Sequence, residues 1–188
     1  MRYAMDYKRF QDIENELRAN MTEINYYVSI IDKKYKNFDN SKNMGIYIFW
    51  YKNQCNELYG LNRIFSIDGP LKIEQKVEWN WNLDDEFVCL YIGKTRNFRK
   101  RIGLHLLLDT ENLGNIDGNK LYKKTTSCQL RSGFDYLYSK NDGIHIKDEL
   151  MKHLYLSIYF EDNFIHRFYL ENYLVGRLRP WFNVDSER

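Results

Sequence analysis

The chain carries no strong charge of either sign, no paired cysteines, no long apolar run and no internal repeat, and each absence removes a class of function. Lys and Arg number 28 against 26 Asp and Glu, a formal charge of +2 over 188 residues. Any contact with a polyanion must therefore come from local clustering of cations, not from a global excess. Cys55, Cys89 and Cys128 are odd in number, far apart and never in a CxxC pair, so they form neither a disulfide framework nor a zinc module. Each reads as a small, reduced, buried or half-buried side chain. No N-terminal stretch reads as a signal peptide, and no run approaches the roughly 20 apolar residues of a membrane span. A cytoplasmic location without a membrane partner is the expectation, and the length suits one domain with a real core.

What is present is a clear succession of periodicities. Phe10, Ile13, Leu17 and Ile24 recur at helical spacing, so the first thirty-odd residues read as amphipathic helix until Asn40-Ser41 breaks the pattern. Met44 to Tyr51 and Phe87 to Ile92 are dense β-branched and aromatic runs and read as strands of one sheet. Between them, Asp68-Gly69-Pro70 separates Arg63 to Ile67 from Leu71 to Trp79, which predicts an inserted hairpin. After Gly93, Thr95 or Asn97 can cap a helix whose apolar stripe is Phe98, Ile102 and Leu106. Arg101 and His105 fall one turn apart beside that stripe and face a common place next to the sheet. Thr126 with Gln129 makes a capping box for a helix through Leu137. His153 to Phe160 alternates, with Leu154, Leu156, Ile158 and Phe160 on one side, and reads as a third strand. In the last helix Phe164, Phe168 and Val175 define the apolar face, and Glu171 projects from that face. A carboxylate there is costly unless paired or metal-bound.

The expected fold is a small α/β sandwich (α+β): a three-stranded, mainly antiparallel sheet flanked by helices. One domain spans 1–188, with an N-terminal helical extension at 1–40 and hairpin and helical insertions at 52–86 and 109–150.

Two tripeptides, Gly45-Ile46-Tyr47 and Tyr91-Ile92-Gly93, are followed in order by Arg101, His105, Glu171 and Asn183. Singly these residues have ordinary explanations. Tyr47 and Tyr91 suit any sheet, His105 alone is more often a satisfied polar side chain, and Glu171 alone is more often half of an ion pair, for instance with Arg167 or His166. The cluster Lys94, Arg96, Arg99, Lys100 and Arg101 alone is as readily a solvated helix face. The ordered set is much harder to obtain by chance, and it resembles the GIY-YIG nuclease family. The likeness is densest from Tyr91 through His105 and again from Leu170 to Tyr173 and Arg179 to Asn183. One departure stands out: 43 residues, Ile48 through Leu90, separate the two tyrosines, where family members usually have about a dozen, so an insertion must loop out of the first hairpin.

The resemblance implies a metal-dependent DNA endonuclease with Tyr47, Tyr91, Arg101, His105, Glu171 and Asn183 at its catalytic site. Glu171, the single carboxylate of the pattern, would hold one Mg²⁺, with Mn²⁺ as a substitute, together with waters and a phosphate oxygen. Arg101 offers a planar cationic fork for the phosphate. Tyr47 is the family's proposed base, but a phenol with a pKa of about 10 needs positive charge nearby to work, and metal-activated water is the rival source of nucleophile. Asn183 would tie the C-terminal segment to the site through its amide. Lys94, Arg96 and Lys100 are further candidates for substrate contact.

Asp68 with Glu74-Gln75-Lys76 looks like a fragment of another nuclease signature, but the spacing is too short to set both carboxylates across two full strands, so these residues read as the solvated face of the hairpin. Asn183 lies five residues from the end of the sequence, so specificity is expected from the insertions and not from a C-terminal module. That layout looks like the type II restriction endonucleases of the family, with double-stranded DNA as substrate, a symmetric homodimer matching a palindromic site, and a cognate DNA methyltransferase in the same system. Lys123, Lys124, Gln129 and Arg131 are the candidates for phosphate or base contacts, while Trp79-Asn80-Trp81-Asn82 suits either a groove or a dimer interface. A phage or mobile-element nuclease of loose specificity, a non-catalytic nucleic-acid-binding protein and a tyrosine-rich protein-interaction domain are the open alternatives.

Overall fold

The run Gly45-Ile46-Tyr47-Ile48-Phe49-Trp50-Tyr51 has no polar side that water could wet. It forms the central strand of a sheet covered on both faces. The computed structural model describes residues 7–24, 44–52, 64–68, 74–78, 86–106, 130 and 152–183. Their elements, in chain order, are α1 (Tyr7–Ala19), β1 (Thr22–Glu23), β2 (Gly45–Lys52), β3 (Ile64–Asp68), β4 (Glu74–Glu78), β5 (Phe87–Thr95), α2 (Phe98–Leu106), β6 (Leu154–Phe160) and α3 (Phe164–Leu178). The main sheet is antiparallel throughout in the order β1-β6-β2-β5.

The expected three strands are thus four. The extra one, β1, contributes only two residues, with Thr22 opposite Leu156 and Glu23 opposite Tyr155. Two residues are too few to show as alternation in a sequence, so this strand is invisible to periodicity. It also corrects the long N-terminal helix: α1 stops at Ala19, and the β-branched Thr22 enters the sheet instead of continuing the helix. Phe10, Ile13 and Leu17 form the buried stripe of α1 as their spacing predicts, whereas Ile24, also buried, lies beyond the strand. The inserted hairpin has its strands at β3 and β4, paired antiparallel with Asp68 opposite Glu74. The intervening residues, with the predicted Asp68-Gly69-Pro70 turn at their start, lie outside the described set beyond Asp68. So do most of the 109–150 insertion, the helix from Thr126 and the tetrapeptide from Trp79.

Side chains alternate across β2, so the sheet has two unlike faces. Ile46, Ile48 and Trp50 join Cys89 and Ile92 of β5 and pack against Phe10, Ile13 and Leu17 of α1 and Leu170 and Leu174 of α3. The polar tip of Trp50 is satisfied: its indole N–H donates to Ser157 Oγ at 2.9 Å, and that hydroxyl donates to the Leu17 carbonyl at 2.5 Å. Glu14, buried on α1, is held by Arg18 at 3.2 Å and by Tyr173 and Arg177 of α3 at 3.3 and 3.4 Å, which fastens the two helices together. Tyr47 and Phe49 point the other way, toward Tyr91, Phe98 and His105.

Helix α3 corrects a second expectation. Its buried residues are Arg167, Leu170 and Leu174, and Phe164 and Phe168 are about half exposed, at 56% and 45%. At 100° per residue two stripes compete on this helix, and the one with the two leucines wins the core because it faces β5. Arg167 belongs to it by folding back, its Nη1 donating to the Glu161 carbonyl at 2.6 Å. Phe160, grouped by alternation with Leu154, Leu156 and Ile158 on one side of β6, is also 52% exposed at the strand end. Asn163 caps the helix start by accepting from the Ile165 and His166 amides, and Arg179 ends it at φ 46° and ψ 60°, just before Pro180.

Candidate active site

The two glycines of the motif are explained by what crosses them. A Cβ on Gly93 would land on the hydroxyl and ring of Tyr47, its partner across the β2–β5 ladder. A Cβ on Gly45 would strike the Tyr159 carbonyl of β6 and the Phe98 ring. Gly93 is therefore the seat of the Tyr47 phenol, and Gly45 allows β6 and α2 to close over the end of β2.

Helix α2 begins where the sequence places it. Asn97 Oδ1 accepts the Lys100 amide at 2.9 Å, and Thr95 Oγ1 accepts the Asn97 amide at 2.9 Å, so both proposed capping residues take part. With the helix anchored there, Phe98 and Ile102 are buried against the sheet, and Arg101 and His105 reach Tyr47 from adjacent turns. His105 Nε2 lies 2.8 Å from the Tyr47 hydroxyl, and Arg101 Nε donates to the same oxygen at 3.3 Å. Because arginine can only donate, the Tyr47 oxygen accepts from Arg101, and the direction of its bond with His105 Nε2 follows the imidazole tautomer. Tyr91 completes the cluster, its ring 6.1 Å from that of Tyr47 and 5.1 Å from that of His105.

Electrostatics keeps both phenols neutral. Burial holds Tyr47 well above its ordinary value of 10.0; Tyr91 adds to the rise and Arg101 opposes it. Burial likewise pushes Tyr91 up to about 12, again against the pull of Arg101. Burial works to lower Arg101, but Tyr47, Tyr91 and Glu171 outweigh it and raise the guanidinium above its usual value, so it stays a cation. Tyr47 and His105 have no exposed surface. The phenol thus lies closed from solvent, with Arg101 on its hydroxyl.

Glu171 and Asn183 sit on the outer edge of β5, where a lone strand would leave its backbone groups unpaired. Asn183 behaves as a one-residue strand: its Oδ1 accepts the Ile92 amide at 2.8 Å and its Nδ2 donates to the Ile92 carbonyl at 2.7 Å. The Trp181 and Phe182 amides donate to the Cys89 and Leu90 carbonyls at 3.2 and 2.9 Å. Glu171 Oε1 accepts the Lys94 amide at 3.1 Å, and Oε2 receives the Lys94 ammonium. Its partner is therefore Lys94, not Arg167 or His166. The Lys94 Nζ also lies 5.3 Å from the centre of the Phe168 ring. Sequence patterning missed this part of Phe168, since it counted the residue as core.

Arg96 and Lys100 are exposed at the start of α2. Lys123, Lys124, Gln129 and Arg131 lie outside the described residues, as do Cys55 and Cys128. Cys89 is buried with a free thiol, and burial pushes it well above the ordinary thiol range.

Among the described residues no group of three or more His, Cys, Asp and Glu side chains gathers as a metal cage. A carboxylate has about four acceptor positions, and Lys94 takes two of those on Glu171. A hard cation that keeps most of its waters and takes a phosphate oxygen, as Mg²⁺ or Mn²⁺ does, would reach this carboxylate in place of the Lys94 ammonium on Oε2. A carboxylate oxygen is the donor type such an ion prefers. No helix among the described residues is long and apolar enough to cross a membrane. Comparison with family models, with curated proteins and with solved structures finds no match for this chain.

Proposed function

We propose that the protein is a metal-dependent DNA endonuclease of the GIY-YIG type and, within that type, a sequence-specific restriction endonuclease acting as a symmetric homodimer on double-stranded DNA. The observation that carries the nuclease reading is the Tyr47 hydroxyl, bound at once by His105 and Arg101. Residues 54 and 58 positions away in sequence meet on one oxygen, next to Tyr91 and to a β5 edge held by Glu171 and Asn183. The restriction reading rests on the sequence layout alone, and a cognate methyltransferase gene beside this one is its cheapest check.

In this reading Arg101 binds a non-bridging oxygen of the scissile phosphate with its planar fork. Turning toward the phosphate, it uncovers the Tyr47 hydroxyl. Tyr47 then takes a proton from the attacking water while its own moves to His105 Nε2. Hydroxide attacks phosphorus, one P–O bond breaks, and the departing oxygen gains a proton from solvent. Glu171 would hold a divalent cation, which would supply positive charge to the phosphodiester during cleavage. Lys94 supplies a second cation at the same edge.

The test is cleavage of supercoiled plasmid with and without Mg²⁺, for the parent and Glu171→Gln. Mg²⁺-dependent nicking or linearisation that Glu171→Gln abolishes, with DNA binding kept, is the expected result. No cleavage by the parent over a range of DNA sequences, with either Mg²⁺ or Mn²⁺, would leave a binding or interaction domain as the better reading. Arg101→Ala should damage the chemical step more than His105→Ala, and the reverse ranking would make the imidazole the direct base.

A further inference from the structure

The Lys94 ammonium occupies the carboxylate oxygen that a divalent cation would use. Resting on the nuclease reading of the site, we propose that Lys94 is a positioning residue that holds Glu171 in the free protein and yields it when a substrate phosphate arrives. Binding of cation and of DNA would then be coupled through this one side chain.

The two contacts between Lys94 and Glu171 differ in kind. The backbone amide of Lys94, part of the β5 edge, holds Oε1 at 3.1 Å and cannot leave without unpairing the strand end. The ammonium on Oε2 hangs on four rotatable carbons, and its side chain is 35% exposed. The carboxylate is thus held in orientation by the fixed contact, whatever the mobile one does. Phe168, one turn before Glu171 on α3, supplies the second wall of the ammonium's seat through its ring face, at 5.3 Å from the centroid. Ring and carboxylate together hold the lysine inward. This gives the half-exposed Phe168 a role that its absence from the core leaves open.

An ammonium and a divalent cation cannot share Oε2 without strong repulsion. A cation entering the free protein must first displace Lys94 from both walls, which weakens its apparent affinity by the factor that measures how firmly the latch is closed. A phosphate offers the ammonium an alternative anionic partner within the same site. Once it moves there, Oε2 is open, and by reciprocity bound cation strengthens DNA binding as much as DNA strengthens cation binding. A nuclease built this way holds its metal weakly until a phosphodiester is in place.

The test measures Mn²⁺ binding to the full chain by titration calorimetry and by the loss of free-ion paramagnetic resonance signal, without DNA. Lys94→Met should bind Mn²⁺ about three- to tenfold more tightly than the parent, the range expected for a part-exposed ion pair and one cation–π contact. Removing any nearby positive charge favours a cation, so Lys100→Met serves as the control and should change little. Phe168→Leu is the decisive variant because it leaves net charge untouched. It should tighten Mn²⁺ binding by about twofold or more by loosening the seat, where a purely electrostatic influence of Lys94 predicts no change. Adding Glu171→Gln to each variant should erase the gain. Both positions are at least partly exposed and should leave thermal unfolding near the parent's, and Lys94→Gln provides a second neutral replacement. If plasmid cleavage depends on Glu171 but Lys94→Met and Phe168→Leu bind Mn²⁺ no better than the parent, the latch is wrong and the nuclease reading stands. If cleavage itself is absent, that reading fails with it.

Discussion

The two faces of β2 are built from one strand and follow opposite rules. On one, Ile46, Ile48 and Trp50 meet apolar side chains of α1 and α3, and the indole N–H of Trp50 ends on Ser157. On the other, Tyr47 meets an imidazole, a guanidinium and a second phenol, all wholly or half buried. Apolar burial stabilises the first face without demanding geometry, at roughly 25 cal/mol per Å². The second face keeps polar atoms out of water and has to match each donor to an acceptor. A strand needs both. The aliphatic side gives the sheet enough stability to hold a polar cluster rigidly on the reverse. The contrast predicts that substitutions on the two faces separate rate from stability.

Tyr47→Phe should give the largest separation. The ring keeps its place over Gly93 and its neighbours, and only the hydroxyl between His105 and Arg101 is lost. Single-turnover plasmid cleavage at saturating Mg²⁺ should fall by about 10² to 10⁴-fold if the phenol moves a proton, with DNA affinity little changed. A rate within a few-fold of the parent and an unaltered pH profile would make Tyr47 a packing residue, despite the hydrogen bonds it makes.

Leu17→Ala is the converse on the aliphatic face. Its side chain is 1% exposed in the cluster under β2, remote in the fold from the Tyr47 hydroxyl. Urea unfolding should show a loss of about 2 to 5 kcal/mol, and the cleavage rate per folded molecule should match the parent's. A comparable fall in rate would mean that the two faces are mechanically coupled through the strand.

Which parts of this arrangement could be read from residues alone follows from the range of each signal. The strands β2, β5 and β6, the stripe of α1 and the Asn97 cap are local patterns of four to eight residues, and they stand where the sequence places them. That Tyr47, Arg101 and His105 belong together is legible only through the family resemblance, while the one-turn spacing of Arg101 and His105 tells that those two share a face. The two-residue β1 carries too little pattern to see. On α3 the pattern offers two apolar stripes, one through Phe164 and Phe168 and one through Leu170 and Leu174, and only the position of β5 decides which is covered. The Lys94–Glu171 pair joins residues 77 positions apart, and no local rule links them. Gly93 is the opposite case: its motif position was legible, while its physical reason, the phenol lying across it, needed three dimensions.

Gly93→Ala tests that reason at a smaller scale. The added methyl collides with Tyr47 and not with solvent or a flexible tip, so overpacking should cost about 1 to 3 kcal/mol. Cleavage should drop alongside, as the hydroxyl is pushed off His105 and Arg101. Pairing it with Tyr47→Phe leaves most of the clash, whereas Tyr47→Ala opens the space and should recover much of the stability lost to the methyl group. Gly93→Ala at parental stability would show that the strands can spread to admit a side chain there.

The smallest effect expected is on the alkaline side of the stability profile, and it probes the polar face through unfolding alone. Burial raises Tyr91 to about 12 against an ordinary 10.0. Below pH 10 both folded and unfolded chains hold the proton, and the stability from keeping this phenol neutral is fully present. Between pH 10 and 12 the unfolded chain gives up a proton that the folded one keeps, so stability drains at about 1.4 kcal/mol per pH unit until the folded phenol ionises too. Tyr47 drains from the same starting pH over a longer span, because it is raised in the same direction. Urea unfolding midpoints at pH 9 and pH 11 should therefore fall less for Tyr91→Phe than for the parent, by about 1 kcal/mol in the derived stability. Parallel losses in the two proteins would mean that the Tyr91 hydroxyl reaches water in solution, and that the polar face of the sheet is more open than the aliphatic one.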